Sequence, residues 1–411
     1  MPADRLLTRS DVEDARRALA GVVRRTPMEP SRVLSEAVGG PVHLKCENLQ
    51  RAGSFKIRGA YRRIQRLDDA ERARGVVAAS AGNHAQGVAL AARMLGARAT
   101  VFMPAGAPLP KLAATRDYGA HVELVDTLDA TFPAAQDYAD RTGAVLIHPF
   151  DHPDVVAGQG TVGLEILEQV PDVATVVVCT GGGGLLAGIA TALEGTGVGV
   201  VGAQAAGLAA WPASLEAGHP IAATGTTIAD GIAVGRPGDL TFALVAARVQ
   251  EVVTVSEEAL ARAVLQCLER AKLVVEPAGA AAVAAVAENP RRWPTPIVAL
   301  VSGGNTDPLV LVDLVRRGMV AAGRYATLHV RVPDRPGYLA DLLRRVGDLG
   351  GNIVDVAHDR LAGSPGLGPI GIGAVEVTLT LEARGHDHRA RMTAALTEAG
   401  YAVRAAEGQG L

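Results

Sequence analysis

The sequence predicts an α/β protein in which two units built on parallel sheets precede a smaller C-terminal unit. From Gly75 to Gln169, and again from Thr175 to Gly304, short apolar runs alternate with helical patterns. This alternation is typical of parallel sheets covered by helices on both faces. After Arg316 the order changes to strand, helix, two strands, helix and strand. A chain of 411 residues is also long enough for several compact units.

The elements of the two parallel units follow from this pattern. A first helix is expected to be capped by Thr8 or Ser10 and to continue to Ala20, with acidic residues in its first turn. Four strand and helix pairs follow, and they are VVAAS with Gln86–Met94, ATVFM with Lys111–Tyr118, HVELV with Leu128–Arg141, and AVLI with Val155–Gln169. The second unit continues with TVVVC, a helix from Leu185, VGVVGAQ and IVALV. Functional residues are expected at the carboxyl ends of these strands.

The C-terminal pattern predicts a ferredoxin-like βαββαβ unit. Its elements are ATLHVRV, a helix over Leu339–Asp348, NIVDVAHDR, a hairpin over Gly363–Gly371, AVEVTLTL, a helix over Arg389–Glu398, and AVRAAE. A boundary is expected near Arg316–Arg324. Because no glycine-rich anion loop follows it, this unit is expected to regulate rather than catalyse.

Composition favours a small-molecule partner. Forty basic and 43 acidic side chains give a net charge of -3, which argues against nucleic acid or an anionic membrane surface as a main target. The N-terminus has no signal-peptide pattern, and no apolar run is long enough to span a bilayer. The three cysteines Cys46, Cys179 and Cys267 lie far apart, as in cytosolic proteins. We therefore expect a cytoplasmic protein without metal-binding cysteines.

Two segments suggest cofactor chemistry. GSFKIRGA places Lys56 beside Phe55 between two glycines, and a partly apolar pocket can lower a lysine pKa enough for imine formation. Alone, a lysine in such a basic loop is more often solvated surface. Gly181–Gly184 follow the strand TVVVC and open a helix, where consecutive N–H groups can hold a phosphate. The spacing fits neither a dinucleotide fingerprint nor a P-loop, although a plain flexible turn remains an alternative.

Two further strand ends carry small polar residues. SAGNHAQG at Ser80–Gly87 opens a helix whose first N–H groups are suited to a carboxylate, and Asn83 offers a hydrogen-bonding amide. His84 is either a base or a structural hydrogen-bonding residue, and both readings stay open. SGGN at Ser302–Asn305 follows the strand IVALV. Three polar turns at three strand ends predict one shared site.

These motifs resemble the threonine dehydratase (threonine ammonia-lyase) family, in the fold-type-II group of pyridoxal-phosphate (PLP) enzymes. GSFKIRGA, SAGNHAQGVAL, HPFDHPDVVAGQGT, GGGGLLAG, TIADGIAV and EPAGA occur in that family's order, from about Arg24 to Thr306. DRPGYLADLLRRVG and LGGNIVDVAHDR continue the resemblance into an ACT-like regulatory domain. The resemblance implies a large PLP-binding domain over 1–52 and 150–318, a small domain over 53–149, and an ACT-like domain over 325–411.

The resemblance also implies roles for individual residues. Lys56 would carry PLP as an imine and take the Cα proton, Phe55 would pack on the ring, and Asn83 would contact the 3-hydroxyl. Gly181, Gly182, Gly183, Gly184 and Leu185 would hold the phosphate, and Ser302 would meet the ring nitrogen. The substrate carboxylate would bind the turn Ser80, Ala81, Gly82, Asn83 and His84, with Glu276 near the ring or the substrate amine. The expected reaction converts L-threonine to 2-oxobutanoate and ammonia, and L-serine to pyruvate as a second substrate.

Departures from related patterns narrow these expectations. Ala81 stands where serine racemase-like relatives have a second serine, which favours dehydration over racemisation. Gln204 stands where several relatives have a metal-binding glutamate, so no metal is expected there. A serine dehydratase, a serine racemase, or an inactive amino-acid sensor of the same fold remain alternatives.

The ACT-like unit is either a regulatory or a purely oligomerising domain. The turn Asp334–Gly337 together with Gly350–Asn352 is the expected effector site, between paired subunits of a homodimer or homotetramer. Feedback by isoleucine in a biosynthetic role is one alternative that the sequence leaves open, since it does not name the effector.

Overall fold

Three sheets organise residues 6–360 and 370–405, the part of the chain that the computed structural model describes. The chain divides into two compact units, 1–311 and 312–411. The first contains a six-stranded and a four-stranded sheet, and the second contains a four-stranded antiparallel sheet. The predicted fold class, two parallel sheets followed by a βαββαβ unit, is confirmed.

The strands are numbered in chain order within the described residues. They are β1 Met28–Pro30, β2 Val42–Cys46, β3 Val76–Ala79, β4 Ala99–Pro104, β5 His121–Val125, β6 Val145–Leu146, β7 Thr175–Cys179, β8 Gly199–Ala205, β9 Glu251–Val255, β10 Ile297–Val301, β11 Tyr325–Pro333, β12 Asn352–Asp359, β13 Ala374–Glu382 and β14 Ala402–Ala405.

The α-helices of the same residues are numbered in the same way. They are α1 Arg9–Ala18, α2 Arg32–Val38, α3 Lys56–Gln65, α4 Asp69–Arg74, α5 Asn83–Met94, α6 Leu109–Asp117, α7 Leu128–Thr142, α8 Pro153–Gln169, α9 Gly184–Leu193, α10 Trp211–Ala217, α11 Asp239–Arg248, α12 Glu257–Gln266, α13 Pro277–Glu288, α14 Pro308–Ala321, α15 Tyr338–Asp348 and α16 His386–Glu398.

The larger sheet of the first unit has the order β1-β2-β10-β7-β8-β9. All neighbours are parallel except β1, which runs antiparallel to β2 at the edge. Strands β7 and β10 are buried along their whole length, which explains why they read as unbroken apolar runs. Their carboxyl ends, at Cys179 and Val301, therefore point to one edge of the sheet.

The smaller sheet of the first unit is wholly parallel, with the order β5-β4-β3-β6. One face is covered by α3 and α5 through a core that includes Ile57, Ile64, Val88 and Val101. The other face packs against α7 through Ala135 and Ala139. The turn that follows β3 begins at Ser80, so this sheet delivers the predicted SAGNH segment.

The second unit has the strand order β12-β13-β11-β14, with every neighbouring pair antiparallel. This is the order expected of a ferredoxin-like βαββαβ unit. Its core combines alternate residues of β11 and β13 with Leu342, Val346, Met392 and Leu396 of the two helices. The hairpin predicted over Gly363–Gly371 lies mostly outside the described residues.

Predicted helix ends differ from the structure by a few residues. The first helix ends at Ala18 rather than Ala20, and Thr8 makes a reciprocal capping box with Asp11. Helices α5 and α6 begin earlier than predicted, at Asn83 and Leu109, because polar residues and prolines are well tolerated in a first turn.

Some elements of the first unit were not predicted, and α3 matters most among them. The segment from Lys56 to Gln65, which the sequence suggests to be a basic loop, is helical. Its buried residues Ile57, Ala60 and Ile64 have the spacing of a helix face. Gly59 lies inside this helix, although glycine usually disfavours a helix interior.

A cluster of four buried charges joins α3 to the rest of the first unit. It consists of Lys45, Glu47, Arg58 and Glu165, hereafter the tetrad. Arg58 donates to both oxygens of Glu47 at 2.7 and 2.8 Å and to Glu165 at 2.7 Å. Lys45 donates to the other oxygen of Glu165 at 2.6 Å. Two positive and two negative groups thus compensate each other inside the protein.

Nearby positive charges keep Glu47 of the tetrad ionised despite its burial. Desolvation disfavours the charge on Glu47, but Arg58 and Lys45 outweigh it and hold the pKa of Glu47 below its ordinary value. Burial of such charges is tolerated only when each has close partners. The tetrad therefore locks β2, α3 and α8 in one arrangement.

We predict that Arg58→Met destabilises the protein by about 3–5 kcal/mol, because it leaves the buried Glu47 without its main cation and Glu165 with Lys45 alone. Urea unfolding followed by circular dichroism measures the change. Arg32→Met is the matched control, since the Arg32 side chain is 76% exposed and its ion pair with Glu36 is on the surface. That control should change the stability by less than about 0.5 kcal/mol. Equal, small effects of both substitutions would contradict the role of the tetrad.

Candidate active site

One cavity of about 250 Å³ collects the residues predicted from the three strand ends. Its lining includes the turn after β3, the turn after β7, the residue after β10, and the start of α3. All site residues named from the sequence line it, and they are Phe55, Lys56, Ser80, Ala81, Gly82, Asn83, His84, Gly181, Gly182, Gly183, Gly184, Leu185, Glu276 and Ser302. Parallel α/β sheets bind ligands at this edge.

Lys56 is the first residue of α3 and presents its amine to the cavity. Its Nζ donates to the carbonyl of Pro149 at 3.0 Å and lies 5.2 Å from the centre of the Phe55 ring. Burial lowers the pKa of Lys56 to about 8, partly opposed by the negative charge of Glu276. The amine therefore has a substantial neutral, nucleophilic fraction near neutral pH.

The glycine turn from Gly181 to Gly184 is held from behind by two side chains that do not line the cavity. Trp211 Nε1 donates to the carbonyl of Gly181 at 2.6 Å, and Thr241 Oγ1 donates to the carbonyl of Gly182 at 2.6 Å. Gly183 has φ +96°, a conformation that favours glycine. These two bonds fix the main chain of the turn, and the first N–H groups of α9, which have no intrahelical acceptor, are suited to an anion.

Phe150 explains why the turn must be glycine at two positions. A Cβ on Gly182 would overlap the Phe150 ring, and one on Gly184 would lie 2.9 Å from the Phe150 Cβ and carbonyl. The ring is set by His148, whose centroid is 4.7 Å away in an edge contact, and whose Nδ1 accepts from the N–H of Asp151 at 2.7 Å. The main chain of the turn can thus approach Phe150 directly.

The turn after β3 places its polar groups next to the same cavity. Ser80 Oγ accepts from the N–H of Gly82 at 3.1 Å and stabilises the turn. His84 Nε2 lies 2.8 Å from the carbonyl of Ile147, which requires this nitrogen to carry the hydrogen. Burial lowers the pKa of His84 to about 3. His84 is therefore neutral, and its contacts favour the structural reading over a base.

A chain of side-chain hydrogen bonds crosses the cavity wall. Asn83 Nδ2 donates to Glu276 Oε1 at 2.5 Å, and Asn305 Nδ2 donates to Asn83 Oδ1 at 2.8 Å. Burial and the nearby charge of Asp230 raise the pKa of Glu276 to about 7, although Lys111 and Asn83 act in the opposite direction. Glu276 can therefore hold or release a proton near neutral pH.

Ser302 lies at the end of β10 beside Cys179 at the end of β7. The Cys179 thiol donates to Ser302 Oγ at 3.0 Å, and burial raises the pKa of Cys179 to about 11. The thiol is therefore neutral. It occupies an acceptor site of Ser302 and leaves the hydroxyl hydrogen of Ser302 available to the cavity.

The sequence motifs missed several residues that shape this site. Trp211 and Thr241 hold the glycine turn, while Phe150 and the pair Lys111 and Asp230 line the cavity. None of these belongs to a glycine-rich strand end. The segments HPFDHP and TIADG were noted only for their resemblance, and no periodic pattern predicts their contacts.

Comparisons with known proteins agree with this arrangement. The family described as "Pyridoxal-phosphate dependent enzyme" matches residues 19–303. An L-threonine ammonia-lyase of Thermotoga maritima is 46% identical over 97% of this chain and 99% of its own length. The structure of a threonine deaminase from T.th. has a TM-score of 0.70 and 42% identity, covering 73% of this chain and 99% of the other. The maize serine racemase structure has a TM-score of 0.71 and 36% identity, covering 75% and 96%.

We predict that competitive acetylation with acetic anhydride, read by peptide mass spectrometry, gives Lys56 a titration midpoint near pH 8. Glu276→Gln should move the midpoint lower, because the carboxylate that favours the ammonium form is removed. A midpoint that stays above about pH 10, close to the value of a free lysine, would show that the cavity does not desolvate the amine. Labelling in urea supplies the unfolded reference for the same peptide.

Proposed function

The chain belongs to the family of pyridoxal-phosphate-dependent enzymes, and on that premise we propose that it is an L-threonine ammonia-lyase. It converts L-threonine to 2-oxobutanoate and ammonia, losing the β-hydroxyl as water and taking up one water in the final hydrolysis. The observation that carries this proposal is the cavity in which a desolvated lysine amine and a glycine turn at a helix N-terminus lie together. The relative from Thermotoga maritima, which bears this name and aligns over 97% of the chain, supports it.

The residues of the cavity fit pyridoxal phosphate. An aldehyde needs a neutral amine, which Lys56 supplies because burial lowers its pKa to about 8. A phosphate needs converging N–H groups, which the start of α9 offers, while Trp211 and Thr241 hold the carbonyls of the turn in place. An aromatic ring needs flat apolar contact, which Phe55 offers, and its polar edges need partners such as Asn83 and Ser302.

When bound, the cofactor supplies an electron-withdrawing ring that stabilises negative charge at the substrate Cα. Lys56 Nζ has two roles, first as the attachment point and then as the base that accepts the Cα proton. Its lowered pKa suits both, since a proton acceptor works best when its pKa is near the working pH. Ser302 would hold the ring nitrogen through its hydroxyl hydrogen, and because this hydroxyl carries no charge it would not favour a protonated ring.

The turn Ser80–His84 binds the substrate carboxylate through main-chain N–H groups at the start of α5. Asn83 is shared, because its amide reaches Glu276 as well as the cavity. Glu276 can retain a proton at neutral pH and so presents either a donor or an acceptor to the substrate amine. His84 orients the turn by its bond to Ile147.

A racemase of the same fold is the second enzymatic candidate, since the maize serine racemase shares the fold and 36% identity. Racemisation needs a proton donor on the face of Cα opposite the lysine. Ala81 lines the cavity without a hydroxyl, and this residue favours elimination. We include L-serine as a second substrate because it has the same leaving group without the methyl.

The division of labour along the chain is part of the proposal. Residues 1–52 and 150–318 form the cofactor-binding domain, 53–149 the small domain, and 325–411 an ACT-like regulatory domain.

Within the second unit the carboxylate oxygens of Asp334 accept from the Arg360 guanidinium at 2.9 and 3.2 Å, and the Asn352 amide donates to the Glu382 carboxylate at 3.0 Å. We propose that these turns bind an amino-acid effector in a cytoplasmic homodimer or homotetramer. Within the described residues no helix is long and apolar enough to cross a membrane.

Lys56→Ala should abolish 2-oxobutanoate formation from L-threonine, because the attachment point and the base are lost together. In the native chain, added pyridoxal phosphate should give a yellow protein, and borohydride should fix the cofactor onto the Lys56 peptide. Lys272→Ala is the matched control, since Lys272 is exposed and absent from the cavity. A protein that stays colourless with added cofactor contradicts the proposed function.

Substrate choice is tested by kcat/KM for L-threonine and L-serine, measured as 2-oxo acid release. We expect L-threonine to be favoured, with D-isomers below detection on chiral chromatography. Equal or serine-dominated values would replace threonine in the proposed function. Accumulation of D-serine would favour the racemase.

Regulation is tested on the full chain by adding L-isoleucine and other amino acids during L-threonine turnover. An effector should shift the KM for L-threonine, and Asp334→Asn should weaken its effect while leaving kcat without effector unchanged. If no amino acid changes the rate and the second unit only sets the oligomeric state, the regulatory part of the proposal is wrong.

A further inference from the structure

An ion pair spans the cavity between the parts of the first unit that carry the two parallel sheets. Lys111 lies on α6, which follows β4 of the smaller sheet, and Asp230 lies in the TIADG segment, between β8 and β9 of the larger one. Lys111 Nζ donates to Asp230 Oδ2, and both residues line the cavity. No motif in the sequence assigns a role to this pair.

The two partners differ strongly in exposure. The Lys111 side chain is 10% exposed, whereas the Asp230 side chain is 60% exposed. A buried ammonium needs an anionic partner to replace its lost hydration. An exposed carboxylate can return to water at little cost, because surface ion pairs contribute little free energy. Another anion can therefore replace Asp230 in this pair, whereas Lys111 stays in place.

The position of the ammonium indicates which anion enters. A Cβ built on Gly82 would lie 3.7 Å from Lys111 Nζ, so the ammonium lies directly beside the turn Ser80–His84. This is the turn proposed to bind the substrate carboxylate. The charges of Lys111 and Asp230 are also felt by Glu276 on the cavity wall, so the pair belongs to the same electrostatic environment as the substrate.

We propose that Lys111 is a substrate-binding residue whose ammonium pairs with the α-carboxylate of the amino acid. Asp230 pairs with the same ammonium until the substrate binds. The inference rests on the proposed function and deepens it. Main-chain N–H groups of the turn set the direction of the carboxylate, and Lys111 supplies its counter-charge. Binding then consists of replacing one carboxylate by another on the same ammonium.

Lys111→Met should raise the KM for L-threonine at least tenfold and change kcat less than threefold, because the ammonium binds a group that does not react. Lys111→Arg should restore most of the affinity. Asp230→Asn should lower the KM at least twofold, since the competing carboxylate is gone. Lys272→Met, the same change on an exposed lysine outside the cavity, should leave both constants unchanged.

A second measurement isolates the carboxylate. The native holoenzyme should bind L-threonine far more tightly than L-threonine amide, as read from the cofactor absorbance, and Lys111→Met should reduce this preference at least fivefold. An unchanged preference, or an unchanged KM, would overturn the proposal. A rise of KM in Asp230→Asn would also overturn the exchange, and this variant decides the matter if Lys111→Met does not fold.

Failure of the proposed function has a different signature. A holoenzyme that carries the cofactor on Lys56 but releases no 2-oxobutanoate from L-threonine would refute the threonine assignment. The role of Lys111 is then tested by the same absorbance titration, which compares the binding of L-serine with that of L-serine amide. Loss of carboxylate preference in Lys111→Met would support it, and an unchanged preference would overturn it.

Discussion

The first unit depends on the tetrad, because there three separate parts of the chain must meet with complementary charge. Apolar packing between β2, α3 and α8 tolerates small shifts, whereas a carboxylate misplaced inside a protein is left unpaired at a high free-energy cost. Arg58 is two residues from Lys56 on the same helix. The buried charges therefore fix the position of the helix start that carries Lys56.

The proposed ligand site uses main chain more than side chain. In this proposal an anion is bound by N–H groups at the starts of α9 and α5, and the residues that support these turns, Trp211, Thr241 and His84, bind carbonyls. The charged groups Lys56, Glu276 and Lys111 differ in burial and in partners. In the proposed reaction Lys56 and Glu276 can therefore exchange protons, and Lys111 can bind an anion.

Much of the fold was predictable because strand and helix periods are local. The alternation from Gly75 onward identified the parallel sheets, and the change after Arg316 identified the βαββαβ unit. The three polar turns were predictable for the same reason, since each follows an apolar run directly. Their meeting in one cavity follows from the shared direction of parallel strands. The features that the sequence did not predict, namely the tetrad and the side chains that hold the glycine turn, depend on contacts between distant segments. The tetrad, which joins α3 to β2 and α8, has members up to 120 residues apart, and Trp211 and Thr241 donate to glycine carbonyls 30 and 59 residues away. No local pattern encodes such distances.

The contact between Phe150 and the glycine turn restricts how this cavity can change during evolution. A Cβ on Gly182 would overlap the Phe150 ring, so Gly182 cannot be replaced first without displacing the ring or the main chain. Replacing Phe150 by a smaller residue first would open space at Gly182, but would remove the edge contact with His148. A Cβ on Gly184 would instead meet the Cβ, Cα and carbonyl of Phe150, atoms that a smaller residue such as alanine retains, so Gly184 stays restricted. The accessible order of substitutions at Gly182 is thus one-directional, since the aromatic residue must be replaced before this glycine can change.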